Sequence, residues 1–254
     1  MTADGSLYLD LLKKIITGTL YDEEPNHDDP DVRAFSMSFT MHYIRGSAIS
    51  MLPRVRLDNL RDCIRAVVEE GVAGDLIETG VWRGGACIYM RAVLQVLDAV
   101  DRVVWVADSF EGLPEPDAVL RPRESEFHRS AMMQRGYNRM AASLEDVQRN
   151  FRAYGFLDDK VRFLKGWFQD TLPGAPIAKL AVLRLDGDYY ESTMTALSNL
   201  YDKVSPGGYV IVDDYGEERW TYCREAVEEF RHKRNVSDPI KAVDGKCVYW
   251  RKSD

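Results

Sequence analysis

Asp75-Leu76-Ile77-Glu78-Thr79-Gly80-Val81-Trp82-Arg83-Gly84-Gly85-Ala86 decides the fold. An apolar strand, expected over Asp75 to Val81, runs into a glycine turn and then into a helix, expected over Ala86 to Leu97. Glycine at such a turn lets a ligand approach the backbone and lets the helix pack close to the strand. The pattern is not G-x-G-x-x-G, and no G-K-[ST] follows, which argues against a nucleoside triphosphate. A second apolar strand, Arg102 to Ala107, ends as Val106-Ala107-Asp108-Ser109-Phe110. An acidic residue about 20–30 residues on from a glycine turn is placed to accept both hydroxyls of a ribose. The plainer reading of Asp108 is a turn or helix cap. Together, turn and acidic strand end suit NAD or S-adenosylmethionine.

Downstream the alternation continues. A helix is expected over Leu144 to Tyr154 and a strand over Val161 to Leu164. A further strand follows at Leu180 to Leu185, a helix at Tyr190 to Tyr201, a strand at Gly208 to Val212 and a helix at Cys223 to Lys233. Ile240 to Val243 and Cys247 to Trp250 form a closing pair around Asp244-Gly245. Strand and helix in turn predict a mostly parallel, doubly wound α/β sheet, and the hairpin makes its last strand antiparallel. Gly112 to Met140 has no clear periodicity, and a loop this long inside a domain predicts a lid or binding element.

Two strand ends carry acids: Leu185-Asp186-Gly187-Asp188-Tyr189-Tyr190 and Ile211-Val212-Asp213-Asp214-Tyr215. Ligands of open α/β sheets bind outside the carboxyl ends of the strands. Gathering carboxylates there is costly unless a positive charge offsets them. An all-oxygen set suits a hard cation, Mg²⁺ or Mn²⁺. Any single Asp here reads as a turn or helix cap; Asp186, Asp213 and Asp214 together read as metal ligands. A cation at these ends favours S-adenosylmethionine over NAD, because hydride transfer rarely needs one.

Upstream, Ser6 to Leu20 carries an apolar stripe of Leu7, Leu11 and Ile15, flanked by Tyr8, Leu12 and Ile16. That predicts an amphipathic helix covered by the body or by another subunit. A second helix is expected over Asn59 to Glu70. Residues 1–70 are read as a helical extension, for substrate cover and oligomer contacts, and 71–254 as the core, with a lid over 112–142. A length of 254 residues suits one elaborated domain, and a hydrophobic fraction of 45% supplies a full core. The net charge of −8 argues against nucleic acid and anionic membrane as partners. No stretch is long and apolar enough to span a bilayer, and Asp4, Asp10, Lys13 and Lys14 interrupt any signal pattern. Cys63, Cys87, Cys223 and Cys247 form no C-x-x-C pair and read as reduced, mostly buried thiols. A cytoplasmic location is expected.

The segment from Asp75 to Ala86, together with Val104-Trp105-Val106-Ala107-Asp108-Ser109-Phe110, resembles the macrocin-type O-methyltransferases, which methylate deoxysugars on natural products. Gly166-Trp167-Phe168-Gln169-Asp170-Thr171, Leu185-Asp186-Gly187-Asp188-Tyr189, Ser205-Pro206-Gly207-Gly208, Val212-Asp213-Asp214-Tyr215, Cys223-Arg224-Glu225-Ala226-Val227 and Val248-Tyr249-Trp250-Arg251 are similar too. The likeness runs from about Leu7 to the end, and the motifs are specific in series. It implies a Rossmann-like class I methyltransferase fold with seven strands, S-adenosylmethionine as donor and Mg²⁺. Carried over by position, Asp186, Asp213 and Asp214 hold the metal and Asp188 is the general base. Glu78 lies near the methionine part of the donor, and Thr79, Gly80 and Asp186 are further donor-binding positions. Asp108 lies at the ribose, Ser109 and Trp167 near the adenine, Gly166 at the donor, and Ser143 in a donor-site segment. Where the family often has Thr-Met-Ile-Gly, this chain has Ser50-Met51-Leu52-Pro53, so Met51 marks a diverged donor contact. Leu113 to Ala142 and Gly216 to Tyr222 also diverge, and both would face the acceptor.

A sugar hydroxyl is a poor nucleophile at neutral pH. A divalent cation lowers its pKa and fixes its direction, and a vicinal diol could chelate one ion. Asp188, two residues past Asp186, can then take the proton, with His128 and His42 as rival bases. Phe127, Met132, Met133 and Tyr137 could cover an apolar aglycone or simply pack the lid. The expected acceptor is a small-molecule glycoside in antibiotic biosynthesis, and the expected assembly is a homo-oligomer built from dimers. A metal-dependent catechol-type O-methyltransferase, a non-catalytic donor-binding protein and an NAD-dependent sugar enzyme remain as alternatives.

Overall fold

The computed structural model describes residues 2–20, 48–130, 141–216 and 221–253. Seven strands form one sheet: β1 (Asp75–Thr79), β2 (Val104–Asp108), β3 (Val161–Lys165), β4 (Leu180–Leu185), β5 (Val204–Val212), β6 (Lys241–Ala242) and β7 (Val248–Arg251). Their spatial order is β3-β2-β1-β4-β5-β7-β6. The pairs from β3 through β5 are parallel, while β7 runs antiparallel between β5 and β6. The order reverses between β1 and β4, so the switch point of the sheet falls between the glycine turn and Asp186.

Both faces of the sheet are covered. The helices are α1 (Ala3–Ile16), α2 (Arg54–Glu69), α3 (Gly85–Val96), α4 (Pro122–Arg129), α5 (Leu144–Ala153), α6 (Phe168–Thr171), α7 (Tyr190–Leu200) and α8 (Thr221–Lys233). Successive strand residues point to opposite faces, and the core splits accordingly. Leu76, Val104, Val106, Val182 and Ile211 join the cluster under α1, α2, α3 and α5. Ile77, Trp105, Ala107, Leu183, Val210 and Val212 join the cluster under α7 and α8.

The expected elements are present, with ends shifted by a few residues. Two differences matter. Within the segment expected to be an aperiodic lid, residues 122–129 are helical; Pro122 sits at the helix start, where its fixed φ and missing N–H are tolerated. And α1 buries Leu9, Leu12 and Ile16, not Leu7, Leu11 and Ile15. Lys13 fixes this rotation, because its ammonium bonds Asp10 and Asp58 while its stem is buried. Among the described residues, no helix is long and apolar enough to cross a membrane.

Candidate active site

The glycine turn is held by close approach from three sides. Gly80 has φ of 89°, and a Cβ on it would lie 1.8 Å from the Asp186 carbonyl oxygen. Only glycine lets β1 and β4 end this close together. The Asp186 N–H donates to the Thr79 carbonyl (2.9 Å), which sets where the acidic segment leaves the sheet. A Cβ on Gly84 would meet Val147 of α5 at 2.9 Å, and one on Gly85 would meet the Ile49 carbonyl at 2.5 Å. The segment 48–52 thus straps the start of α3, with the Gly85 N–H donating to Ile49 (3.0 Å). Met51, half-buried, lies on this strap.

Asp108 stands across the turn. One carboxylate oxygen accepts from the N–H groups of Val81 (2.7 Å) and Trp82 (3.3 Å), and the other from Phe110 (2.7 Å). Burial raises its pKa, and these amides pull it back down. Asp108 therefore already ties β2 to the glycine turn. The Ser109 hydroxyl donates to the Gly112 carbonyl (2.8 Å) and accepts from the Glu111 N–H (3.1 Å). The Gly166 N–H donates to the Asp108 carbonyl (3.0 Å), which brings Gly166 and Trp167 beside the same strand ends. Ser143 is exposed and caps α5: its hydroxyl accepts from the Asp146 N–H (3.1 Å) and donates to the Asp146 carboxylate (2.7 Å).

The acidic cluster forms at the ends of β4 and β5. Asp186, Asp213 and Asp214 each present one oxygen, all within 4.8 Å of one another. Arg184, the charged residue inside β4, is sealed below them and bonds Glu78, Asp186 and Asp213. Arg56 of α2 donates to the other Asp213 oxygen (2.6 Å) and to Asp244 (2.7 Å) in the β6–β7 turn. Each bonded carboxylate keeps lone pairs, and the buried Oδ2 of Asp214 has no hydrogen-bond partner. Burial pushes Asp186 up to about 6, with Asp213 adding to it and Arg184 opposing. Burial, then Asp188, Asp186 and Asp213, push Asp214 well up. Burial likewise pushes Glu78 up to about 7 against the pull of Arg184, and the Cys87 thiol donates to its second oxygen (3.0 Å). Two guanidiniums do not offset this many carboxylates. Three converging carboxylate oxygens, beside a buried carboxylate oxygen with no partner, fit a hard divalent cation.

Asp188 has φ of 59°, a left-handed conformation that is unusual for a side-chain-bearing residue and found often at functional turns. His128 on α4 meets the neighbouring residue: its Nδ1 lies 3.0 Å from the Tyr189 hydroxyl, and burial lowers its pKa. His42, Met132, Met133 and Tyr137 lie outside the described residues. The sequence reading missed Arg184, Arg56, Asp244 and Glu124. Arg184 left a signal, since it interrupts the apolar run Leu180-Ala181-Val182-Leu183-Arg184-Leu185 just before Asp186. Arg56 left none.

Similarity to known proteins agrees with this geometry. The macrocin-O-methyltransferase family profile matches residues 44–252. The chain is 48% identical over 261 residues to the 8-demethyl-8-(2,3-dimethoxy-alpha-L-rhamnosyl)-tetracenomycin-C 4'-O-methyltransferase of Streptomyces olivaceus, covering 99% of this chain and 95% of that one. It is 47% identical over 258 residues to the demethyldecarbamoylnovobiocin O-methyltransferase of Streptomyces niveus, with the same coverage. The solved structure of the O-methyltransferase NovP superposes with a TM-score of 0.84 at 47% identity, over 99% of this chain and 100% of that one. The chain belongs to the macrocin-O-methyltransferase family and is an S-adenosylmethionine-dependent O-methyltransferase.

Proposed function

We propose that this enzyme methylates one hydroxyl of a vicinal pair on a deoxysugar of a glycosylated natural product, in antibiotic biosynthesis and in the cytoplasm. The observation that carries the reading is the trio Asp186, Asp213 and Asp214, converged at the switch point beside the glycine turn. The Streptomyces olivaceus relative, whose name specifies a rhamnosyl acceptor, supports a rhamnose-like sugar.

In this reading Glu78, Thr79 and Gly80 form the floor beneath the methionine part of the donor. Met51 covers it from the strap, and Asp186 borders it. Asp108 accepts the ribose hydroxyls while keeping its amide bonds, and Ser109, Gly166 and Trp167 flank the adenine. Ser143 closes this end through the start of α5. Asp186, Asp213 and Asp214 would hold Mg²⁺ or Mn²⁺, which when bound supplies the positive charge that stabilises oxyanion character on the acceptor. The Asp188 carboxylate takes the hydroxyl proton, with His128 as the rival. Methyl transfer is an in-line displacement at a sulfonium carbon, so the protein's remaining work is to align oxygen, carbon and sulfur and to exclude water. The segment 112–142 would be the lid that excludes it, and residues 1–70 would cover the substrate and build a homo-oligomer from dimers.

The test uses p-nitrophenyl α-L-rhamnoside with S-adenosylmethionine, following methylated product by mass spectrometry. Product with Mg²⁺ and none in excess chelator is expected. Full turnover in chelator would remove the cation from the reading, and donor binding with no product from any vicinal-diol glycoside would remove the sugar.

A further inference from the structure

The helix that follows the acidic segment cannot cap itself. The first N–H groups of a helix have no partner within it, and α7 begins after Tyr189, whose side chain makes no capping bond. The cap comes instead from α4, which lies in the lid segment. The Glu124 carboxylate, buried to 1% exposure, accepts from the Tyr190 N–H at 2.9 Å across 66 residues of sequence. An anion at this place also meets the positive end of the helix dipole. Arg121 and one more residue of α4 reach the same dipeptide. Arg121, just before the helix, stacks its guanidinium 3.4 Å over the Tyr190 ring, and His128 meets the Tyr189 hydroxyl. Positions 121, 124 and 128 fall on one helical face.

We propose that Glu124 is a positioning residue for the general base: by capping α7 from the lid helix it fixes Tyr189–Tyr190 and, with them, the left-handed turn that carries Asp188. The inference rests on the reading of Asp188 as the base. The geometry is a short span held at two ends. Asp186 is anchored by its N–H on Thr79, and Tyr190 by its N–H on Glu124. Between them Gly187 packs tightly, since a Cβ there would lie 2.9 Å from the Ser192 Cβ, and the Tyr189 N–H turns back to the Gly187 carbonyl (2.6 Å). Fixing both ends constrains Asp188 at its positive φ of 59°. Docking of α4 on Tyr189–Tyr190 therefore completes the base.

The full-length chain with Glu124→Ala, Glu124→Asp and Glu124→Gln tests this. Glu124→Ala removes the acceptor. Exchange of the Tyr190 amide should rise at least tenfold, and kcat on p-nitrophenyl α-L-rhamnoside should fall about tenfold or more. S-adenosylmethionine affinity should stay within twofold. Glu124→Gln keeps an oxygen that can accept, so it should restore both exchange and kcat to near wild type. Glu124→Asp, one methylene short, should show the alanine pattern in milder form and serves if the alanine variant does not fold. Unchanged Tyr190 exchange in Glu124→Ala or Glu124→Asp overturns the cap. Faster exchange with wild-type kcat overturns the positioning role and leaves a structural cap only. If the wild-type chain methylates no glycoside, the proposed substrate is at fault, while the exchange measurement still decides the cap.

Discussion

Position 214 separates the two things a carboxylate can do in this site. Asp213 is bonded through both oxygens, to Arg184 and Arg56, so it holds the fold together as well as facing the cluster. The buried Oδ2 of Asp214 has no partner, and its neighbours Asp188, Asp186 and Asp213 repel it. Removing a buried, uncompensated charge relieves a penalty; removing a metal ligand forfeits the ion. Asp214→Asn should therefore melt at the same temperature as wild type or higher in chelator. It should lose the rise in melting temperature that Mg²⁺ gives wild type through mass action. An equal Mg²⁺-dependent rise in both proteins would show that Asp214 is no ligand. Asp213→Asn should behave oppositely and lose stability even in chelator, because it breaks buried pairs with two guanidiniums. Asp186, Asp213 and Asp214 were legible because each follows a strand that reads as buried, and strand ends are where this sheet type puts its site. Arg56 and Asp244 were not, since Arg56 reaches Asp213 across 157 residues and Asp244 across 188, and no local pattern encodes a contact that long.

Ser143 and Glu124 show how an element's ends limit what can be read from sequence. Ser143 opens Ser143-Leu144-Glu145-Asp146 and caps α5, so its bonds are already made within the helix start. Ser143→Ala should cost about 1 kcal/mol of stability by urea denaturation, the usual worth of such a cap. If capping is its whole role, donor affinity by calorimetry stays unchanged; a loss beyond the stability effect would place it against the donor. The cap of α7 is supplied from another element, so nothing near Tyr190 announces it. It also makes the contact between α4 and α7 depend on pH. Burial pushes Glu124 up to about 7, opposed by the Tyr190 N–H and Arg121, and assisted by Glu191 and Glu225. A carboxyl whose folded pKa lies above its unfolded value contributes stability that is fully present below the unfolded value, and that is lost as pH rises through about 7. The neutral Glu124→Gln variant lacks this dependence. The melting temperature of wild type minus that of Glu124→Gln should therefore fall from pH 5 to pH 8. A flat difference would mean that Glu124 titrates as an ordinary exposed carboxyl. The strands and most helices were legible from period and glycine alone; helix α4 was not, because its eight residues are mostly polar and offer no stripe.

At the scale of the whole molecule, the outer face of α1 exposes a row of large apolar side chains among the described residues. Helix α1 is apolar around much of its circumference, so its sequence did not decide which side faces in. Leu9, Leu12 and Ile16 enter the core shared with α2 and α3, guided by the Lys13–Asp58 bond. That leaves Leu7 at 71% exposure, Leu11 at 48%, Tyr8 at 42% and Ile15 at 36%, as a continuous outer stripe one helix long. Single exposed apolar residues are ordinary, but a contiguous row of four on one helix face marks a contact surface. The proposed homo-oligomer places this row against the same row of a second copy, because a two-fold axis lets one patch cover itself. Burying each leucine contributes on the order of 1.5–3 kcal/mol. The charged double variant Leu7→Glu, Leu11→Glu removes that gain and sets carboxylates facing carboxylates across the axis. Light scattering at micromolar concentration should give the intact chain a mass at least twice 29.0 kDa, and the variant should dissociate toward one chain. The variant should keep its fold and its S-adenosylmethionine affinity, because the mutated face is not the one packed on α2 and α3. An intact chain that scatters as a single copy would leave the outer face of α1 without a second copy, and an oligomer that survives both substitutions would move the interface elsewhere on the molecule.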